Sequence, residues 1–194
     1  MTRFHSMLMT LVLASAAFGC DATPVEPESG MVVLYATVDQ HRSSGDTAAL
    51  MAPLRRAADD PHSYTSLLAE ASAEFGAAPS RVTVRDLSIV LDDQNWIVGF
   101  DDLFAGDLEV RFQPTGGGGS HLVATIPWEK VQRAGAAIVV NDATFDSDAL
   151  PEADRAAILA GDFDVTVHGP AGAEFAARRG ALEMTVPIVF QVHP

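Results

Sequence analysis

The sequence predicts a mainly β protein, an antiparallel β-sandwich or open barrel with a small helical insertion near its N-terminal end. Three observations support this fold class. From residue 81 onward, apolar residues recur mostly with a period of two, which is typical of strands with one buried face. Turn signals separate these short segments, among them the glycine run at 116–119. Upstream, residues 64–75 have helical periodicity instead.

The N-terminal part of the domain is expected to contain one strand followed by helical segments. The apolar run MVVLYATV at 31–38 predicts the first strand, and residues 46–59 look helical with a kink or restart at Pro53. The next helix has clearer signals, because Asp60 can cap it with Pro61 at its first helical position. The apolar stripe of this helix predicts packing against a core and consists of Tyr64, Leu67, Leu68, Ala71 and Phe75.

The central strands are separated by irregularities that the sequence marks. The alternation slips between Val84 and Leu87, which predicts a β-bulge near Arg85–Asp86. The glycine run GGGGS is followed by a strand and lacks the lysine of a phosphate-binding loop, so we expect a flexible hairpin loop. It would join strand 107–113 to strand 121–128. The apolar segment at 136–140 predicts a short buried strand.

The C-terminal strand has the most regular alternation in the chain. Its apolar residues fall on every second position from 182 to 192, which predicts one buried face. Pro187 lies on the opposite face and lacks an N–H group, so an edge position or a bulge is expected there. We expect strand 162–168 to pair with 181–187, because that register sets Val167 against Leu182 and Val165 against Met184.

The charge of the chain excludes some classes of partner. The formal net charge is -14, whereas binding to nucleic acid through phosphates needs a basic surface. The same charge argues against adsorption on anionic lipid. With a single cysteine, the chain has no disulfide within the domain.

That cysteine, Cys20, directly follows an apolar segment near the start of the chain. Arg3 precedes MLMTLVLASAAFG at 7–19, which has the length of a secretory signal and is too short to span a bilayer. The sequence Ala17-Phe18-Gly19-Cys20 resembles the lipobox of bacterial lipoproteins. This resemblance covers the leader only, and Ala17 and Phe18 depart from the residues that the family favours.

The resemblance implies cleavage between Gly19 and Cys20 and acylation of the Cys20 thiol, palmitate included. An alternative remains open, because Ala14-Ser15-Ala16 is also a site for ordinary signal peptidase. That cut would leave Cys20 as a free thiol. If the chain is a lipoprotein, as the resemblance implies, it is anchored in the cell membrane or the outer membrane and faces the periplasm or the exterior. Asp21 resembles a signal for retention at the inner membrane, a rule that differs between lineages.

The chain therefore divides into three parts. Residues 1–19 form the lipoprotein signal peptide, and residues 20–30 hold the lipidated cysteine with an acidic, proline-containing tether. Residues 31–194 form a single β-sandwich domain of ordinary size.

Within that domain no recognisable catalytic constellation occurs, so we expect a non-enzymatic protein with no cofactor. There is no G-x-S-x-G motif, and the histidines have neither metal-ligand spacing nor an H-E-x-x-H pattern. The expected partners are the membrane, through the anchor, and another envelope protein.

One acidic loop, residues 141–155, has oxygen ligands of the kind that Ca²⁺ takes. The metal candidates are Asp142, Asp146 and Asp148, although the loop lacks the order of an EF-hand. The same residues also fit a solvated loop before a helix with Pro151 at its first position.

Three hypotheses of function follow from these observations. The first is a lipid-anchored envelope lipoprotein with a non-catalytic binding or structural β-domain. The second is a calcium- or glycan-binding module on the same scaffold. The third is a hydrolase whose catalytic residues meet only in the folded chain, which a pocket containing two close acids, or a contact between a serine and a histidine, would support.

Overall fold

The computed structural model describes residues 28–38, 47–53, 63–91, 99–173 and 182–194. Their strands form two four-stranded antiparallel sheets packed as a β-sandwich. The mainly β fold is therefore confirmed. In chain order the elements are β1 (Glu28–Val38), β2 (Thr47–Pro53), α1 (Tyr64–Phe75), β3 (Arg81–Leu91), α2 (Phe100–Leu103), β4 (Leu108–Pro114), β5 (His121–Ile126), α3 (Trp128–Val131), β6 (Ala137–Val140), a 3₁₀ turn (Ser147–Ala149), α4 (Glu152–Ala160), β7 (Phe163–Pro170) and β8 (Leu182–His193).

The first sheet has the strand order β1-β8-β3-β6, and the second has the order β2-β7-β4-β5. In β8, each alternate residue from Met184 to Val192 is buried, as the alternation predicts. In β4, Leu108, Val110 and Phe112 are likewise buried. The core therefore lies between the two inner faces, as period-two patterning requires for packed antiparallel sheets.

Two predicted irregularities are confirmed. The register between β3 and β8 shifts between Val84 and Asp86, where the sequence predicts a bulge. The glycine run connects β4 to β5, which pair as a hairpin. The segment at 136–140 forms a strand as predicted, but only one of its faces is buried. Ile138 and Val140 are buried, whereas Val139 is 53% exposed.

The helical interpretation of residues 46–59 is wrong where the structure describes them. Thr47–Pro53 is strand β2, whose residues pair with Asp164–Pro170 of β7. Alanine has the highest intrinsic helix propensity, but this preference is at most about 1 kcal/mol per residue, and hydrogen bonding to a neighbouring strand overrides it. Tertiary pairing, which the local sequence does not encode, decides this element.

The start of α1 also differs from the prediction. Ser63 is the N-cap, since its side-chain oxygen accepts a hydrogen bond from the Ser66 amide at 3.1 Å. The helix thus begins later than a cap at Asp60 would place it, and Asp60 and Pro61 lie outside the described residues. The helix ends at Gly76 with φ of 68°, a left-handed conformation that glycine adopts without strain.

The predicted pairing of strand 162–168 with 181–187 is wrong. β7 pairs with β2 and β4 in the second sheet, while β8 pairs with β1 and β3 in the first. Alternation shows which face of a strand is buried, so any two such strands can be aligned with their inward residues opposed. It does not show which strand is the neighbour.

Of the two alternatives predicted for Pro187, the edge position is wrong because β8 is an internal strand, and the register with β3 is the same on both sides of the proline, so no bulge lies there. Pro187 is opposite Val33 of β1. On the other side, the pairing with β3 passes from Leu87–Ile188 to Val90–Thr185 around the proline. This arrangement accommodates the missing N–H group, which cannot contribute to a ladder.

The two faces of β8 can be tested by substitution. Met184 is 1% exposed, so Met184→Asp places an unpaired carboxylate in the core and should lower the free energy of unfolding by several kcal/mol. Thr185 lies on the opposite face, and Thr185→Asp should cost about 1 kcal/mol or less. Urea denaturation measures both values, and equal costs would show that the faces are assigned wrongly.

Candidate functional site

The residues predicted for lipidation and cleavage, Cys20 and Gly19, lie outside the described residues. β1 begins at Glu28, three residues before the predicted domain start. Among the residues that the structure describes, no helix is long and apolar enough to cross a membrane. The site residues that can be located are therefore those of the domain itself.

The acidic loop packs along the start of β3. Asp146 receives two hydrogen bonds from the Arg81 guanidinium, from Nε at 2.9 Å and from Nη2 at 2.6 Å. Asp146 also caps the 3₁₀ turn by accepting from the Asp148 amide at 3.0 Å. The hydroxyl of Ser147 accepts a hydrogen bond from the buried Val82 amide at 2.8 Å. These contacts attach the loop to the first residues of β3.

The electrostatics of this loop are those of ion pairing. The hydrogen bond from Arg81 lowers the pKa of Asp146 below its usual value, so the carboxylate stays ionised. Asp148 lies 3.5 Å from Arg155 and 3.8 Å from Arg81. Asp142 is exposed. In the described ranges, no group of three or more His, Cys, Asp or Glu side chains could hold a metal ion.

Because both Asp146 oxygens already bind a guanidinium, we expect calcium to leave the stability unchanged. An ion bound to the folded state adds about 2.7 kcal/mol at a hundredfold excess over Kd. The melting temperature should therefore be the same in chelator and in millimolar calcium. A rise of several degrees that Asp146→Ala and Asp148→Ala both abolish would contradict this expectation and support the calcium hypothesis.

A second polar cluster joins the glycine loop to α4, and sequence reasoning missed it. Asp154 is nearly buried, and its Oδ2 lies 2.7 Å from His121 Nε2 and accepts from the Gly119 amide at 3.2 Å. Gly118 packs against the same carboxylate, leaving no room for a side chain at 118. One feature of the sequence indicates that Asp154 is buried. It lies four residues before Ile158, so both fall on the same face of the helix.

This cluster fixes a loop that the sequence alone presents as flexible. The buried carboxylate accepts from two groups of the β4–β5 hairpin, and such charge-assisted hydrogen bonds are stronger than neutral ones. In this way α4 and the hairpin are cross-connected on one side of the second sheet. The contact between His121 Nε2 and Asp154 Oδ2 thus connects the hairpin to α4.

Two more histidines contact hydroxyl groups, but neither contact forms a hydrolytic triad. A triad needs one ring nitrogen at a carboxylate and the other at the nucleophilic hydroxyl. His193 Nε2 lies 3.2 Å from Thr83 Oγ1, and His168 Nε2 lies 2.9 Å from Thr166 Oγ1. Burial lowers the pKa of both imidazoles.

The Thr166 hydroxyl is also committed. It donates to the Arg111 carbonyl at 3.4 Å, so the imidazole of His168 donates to it rather than acting as its base. The contact between Asp154 and His121, the carboxylate–imidazole contact described above, shares no hydrogen bond with either of these histidine–threonine pairs. One histidine therefore contacts a carboxylate and two others contact hydroxyl groups. Among the described residues, no single histidine contacts both.

One concave feature of the described residues lies beside the edge strand β6. The short helix α3 and the turn after it border an open depression of about 440 Å³. Its lining combines exposed apolar surface with charged side chains and comprises Glu129, Lys130, Arg133, Ala134, Ala137, Ile138 and Val139. An open depression beside a sheet edge can hold an extended chain.

Comparison with known proteins adds no further constraint. No family model, no curated protein and no solved structure matches this chain.

The role of Asp154 can be tested by truncation. Asp154→Ala leaves the His121 side chain and the Gly119 amide without their buried acceptor, so the free energy of unfolding should fall by about 2 kcal/mol. The matched control is Glu152→Ala on the exposed face of the same helix, which should cost less than about 1 kcal/mol. Denaturant unfolding of both variants decides the matter, and similar losses would exclude a special role for the cluster.

Proposed function

We propose that this chain is a lipid-anchored lipoprotein of the bacterial cell envelope, whose β-sandwich serves as a non-catalytic binding or structural domain. The observation that carries the proposal is the position of Cys20. It is the single cysteine of the chain and stands directly after Gly19, at the end of an apolar segment of secretory length.

The physical properties of the chain are in keeping with a covalent anchor. A net charge of -14 gives no electrostatic attraction to an anionic membrane surface. One acyl chain holds a protein only marginally, at about 0.8 kcal/mol per buried CH₂, whereas two chains make release slow. The lipoprotein pathway that the leader resembles supplies two or three chains on one cysteine.

The length of the tether sets how the domain would sit. β1 begins at Glu28, eight residues after Cys20, and these residues reach at most about 28 Å when fully extended. Glu28 lies at the end of the first sheet that also carries Val192 and Arg81. Under this proposal, that end faces the membrane, and the opposite end of the sheet faces away from it.

Cys20→Ala tests the anchor directly. The protein expressed in a lipoprotein-processing bacterium should fractionate with membranes and incorporate labelled fatty acid, and Cys20→Ala should abolish the labelling and leave the chain soluble or unprocessed. The matched control, Ala16→Phe, blocks the ordinary signal peptidase site and should leave lipidation intact. Mass spectrometry that finds a mature N-terminus at Ala17 and a free Cys20 thiol would overturn the proposal.

A further inference from the structure

We propose that the outer edge of β6, which no described strand pairs with, and the depression beside it dock an extended acidic segment of a partner protein by adding it as a strand. The inference rests on the binding role proposed for the domain and names the surface and the chemistry of its partner. Strand addition needs a free sheet edge, and side-chain pockets beside it then select the peptide.

The backbone of β6 has such an edge. In antiparallel ladders, hydrogen-bonded and non-hydrogen-bonded pairs alternate. Leu91 donates to the Ala136 carbonyl at 2.9 Å, so the register makes Ile138 and Val140 the residues bonded to β3. The N–H and C=O groups of Val139 then point away from β3. β6 is the last strand of its sheet, and no other described strand pairs with it.

The backbone groups of Ala137 set how many hydrogen bonds this edge can offer. Ala137 donates to the Ala134 carbonyl at 3.1 Å, so the turn after α3 closes the start of the strand. The Ala137 carbonyl remains on the same side as the Val139 backbone groups. One donor and two acceptors are thus available over three residues, enough for a short antiparallel or parallel addition.

The side chains around this edge favour an acidic peptide. Val139 is 53% exposed, the apolar contact that an added strand would cover. Lys130 and Arg133 line the same depression, are exposed, and form no ion pair with any acid in the described parts of the chain. Glu129 is the acid among the lining residues, so two cations face one anion in a protein of net charge -14.

The acidic tether of the same molecule cannot be the occupant. Across the sheet, Glu28 of β1 is level with Val192 of β8 and with Val82 of β3. Val139 of β6 is opposite Ser88, which lies six residues further along β3. Val139 is therefore about 20 Å along the sheet and three strands, about 14 Å, across it from Glu28. The residues between Cys20 and Glu28 would be pulled straight to cover that distance, which leaves none to pair along β6.

The occupant is thus a separate polypeptide with carboxylate side chains in an extended segment. β6 begins opposite Val90, near the end of β3 that lies away from Glu28. If the chain is anchored at Cys20, this edge is presented on the side of the domain away from the membrane, where another envelope protein can reach it.

Fluorescence anisotropy with two matched peptides tests the inference. The probes are labelled TEVEVEVT and TKVKVKVT, and the protein is the full-length lipoprotein in detergent micelles. We expect the acidic peptide to bind at least tenfold more tightly than the basic one. Lys130→Glu combined with Arg133→Glu should reverse this preference, whereas Arg85→Glu, which changes an exposed cation elsewhere on β3, should leave it unchanged.

Strand addition is tested separately from charge. Val139→Pro removes the outward N–H group and should weaken acidic-peptide binding at least tenfold, while Leu122→Asp at another exposed apolar position should not. If Val139→Pro fails to fold, the acidic peptide N-methylated at alternate amides provides the same test on unaltered protein, because it cannot complete the ladder.

Equal binding of the two peptides, or unchanged binding after N-methylation, overturns the inference. Concentration-dependent dimers that displace the peptide also overturn it, since the occupant would then be a second copy. The Cys20→Ala protein should bind the acidic peptide with unchanged affinity, so a failed anchor and a failed docking edge give different results.

Discussion

The two sheets and the elements beside them depend on a contact among five aromatic rings centred on Phe112 of β4. Its ring centroid lies 4.7 Å from that of Phe163 in β7 and 6.0 Å from that of Phe190 in β8, so it joins the two sheets. Phe145 packs against the same ring at 4.7 Å and thereby places the acidic loop. Tyr64 contacts Phe163 and Phe190 and so places α1.

This cluster also explains how the helices are fixed to the sandwich. The Tyr64 hydroxyl donates to the Ile158 carbonyl of α4 at 3.0 Å, and burial raises the pKa of Tyr64. A buried aromatic residue with a satisfied polar end adds specific geometry to apolar contact area. The position of Asp154, four residues earlier on α4, follows from this contact, and with it the attachment of the glycine loop.

Local patterning predicted the parts of this fold that depend on single strands. Alternation identified the buried face of β8, and a phase slip located the bulge at Val84–Asp86, because each depends only on neighbouring residues. It failed for β2 and for the partner of β7, because pairing between distant segments decides both. Pro187 shows the same limit, since an internal strand accepts a proline when the neighbouring ladder passes around it.

The candidate sites divide in the same way. Lipidation at Cys20 can be predicted from sequence because the residues that resemble a lipobox are contiguous, and it stays a prediction. The carboxylate of Asp154 meets His121 and Gly119 across more than thirty intervening residues, and no local pattern brings them together. The edge beside β6 combines Lys130 with Val139 through a turn that contains Gly135, whose φ is 56°. Its open side depends on the strand order, which the sequence does not specify.

The pairing of β1 along its whole length with β8 has a mechanical consequence. A force that pulls Glu28 toward one end of the sheet, against a load held at β6 near the other end, acts parallel to the strands. All the hydrogen bonds of a ladder then resist together, rather than opening one at a time as in a hairpin pulled from its ends. Rupture under force is governed by the unfolding rate. Tension applied between β1 and β6 in this way would therefore load the ladder of β1 and β8 along its strands.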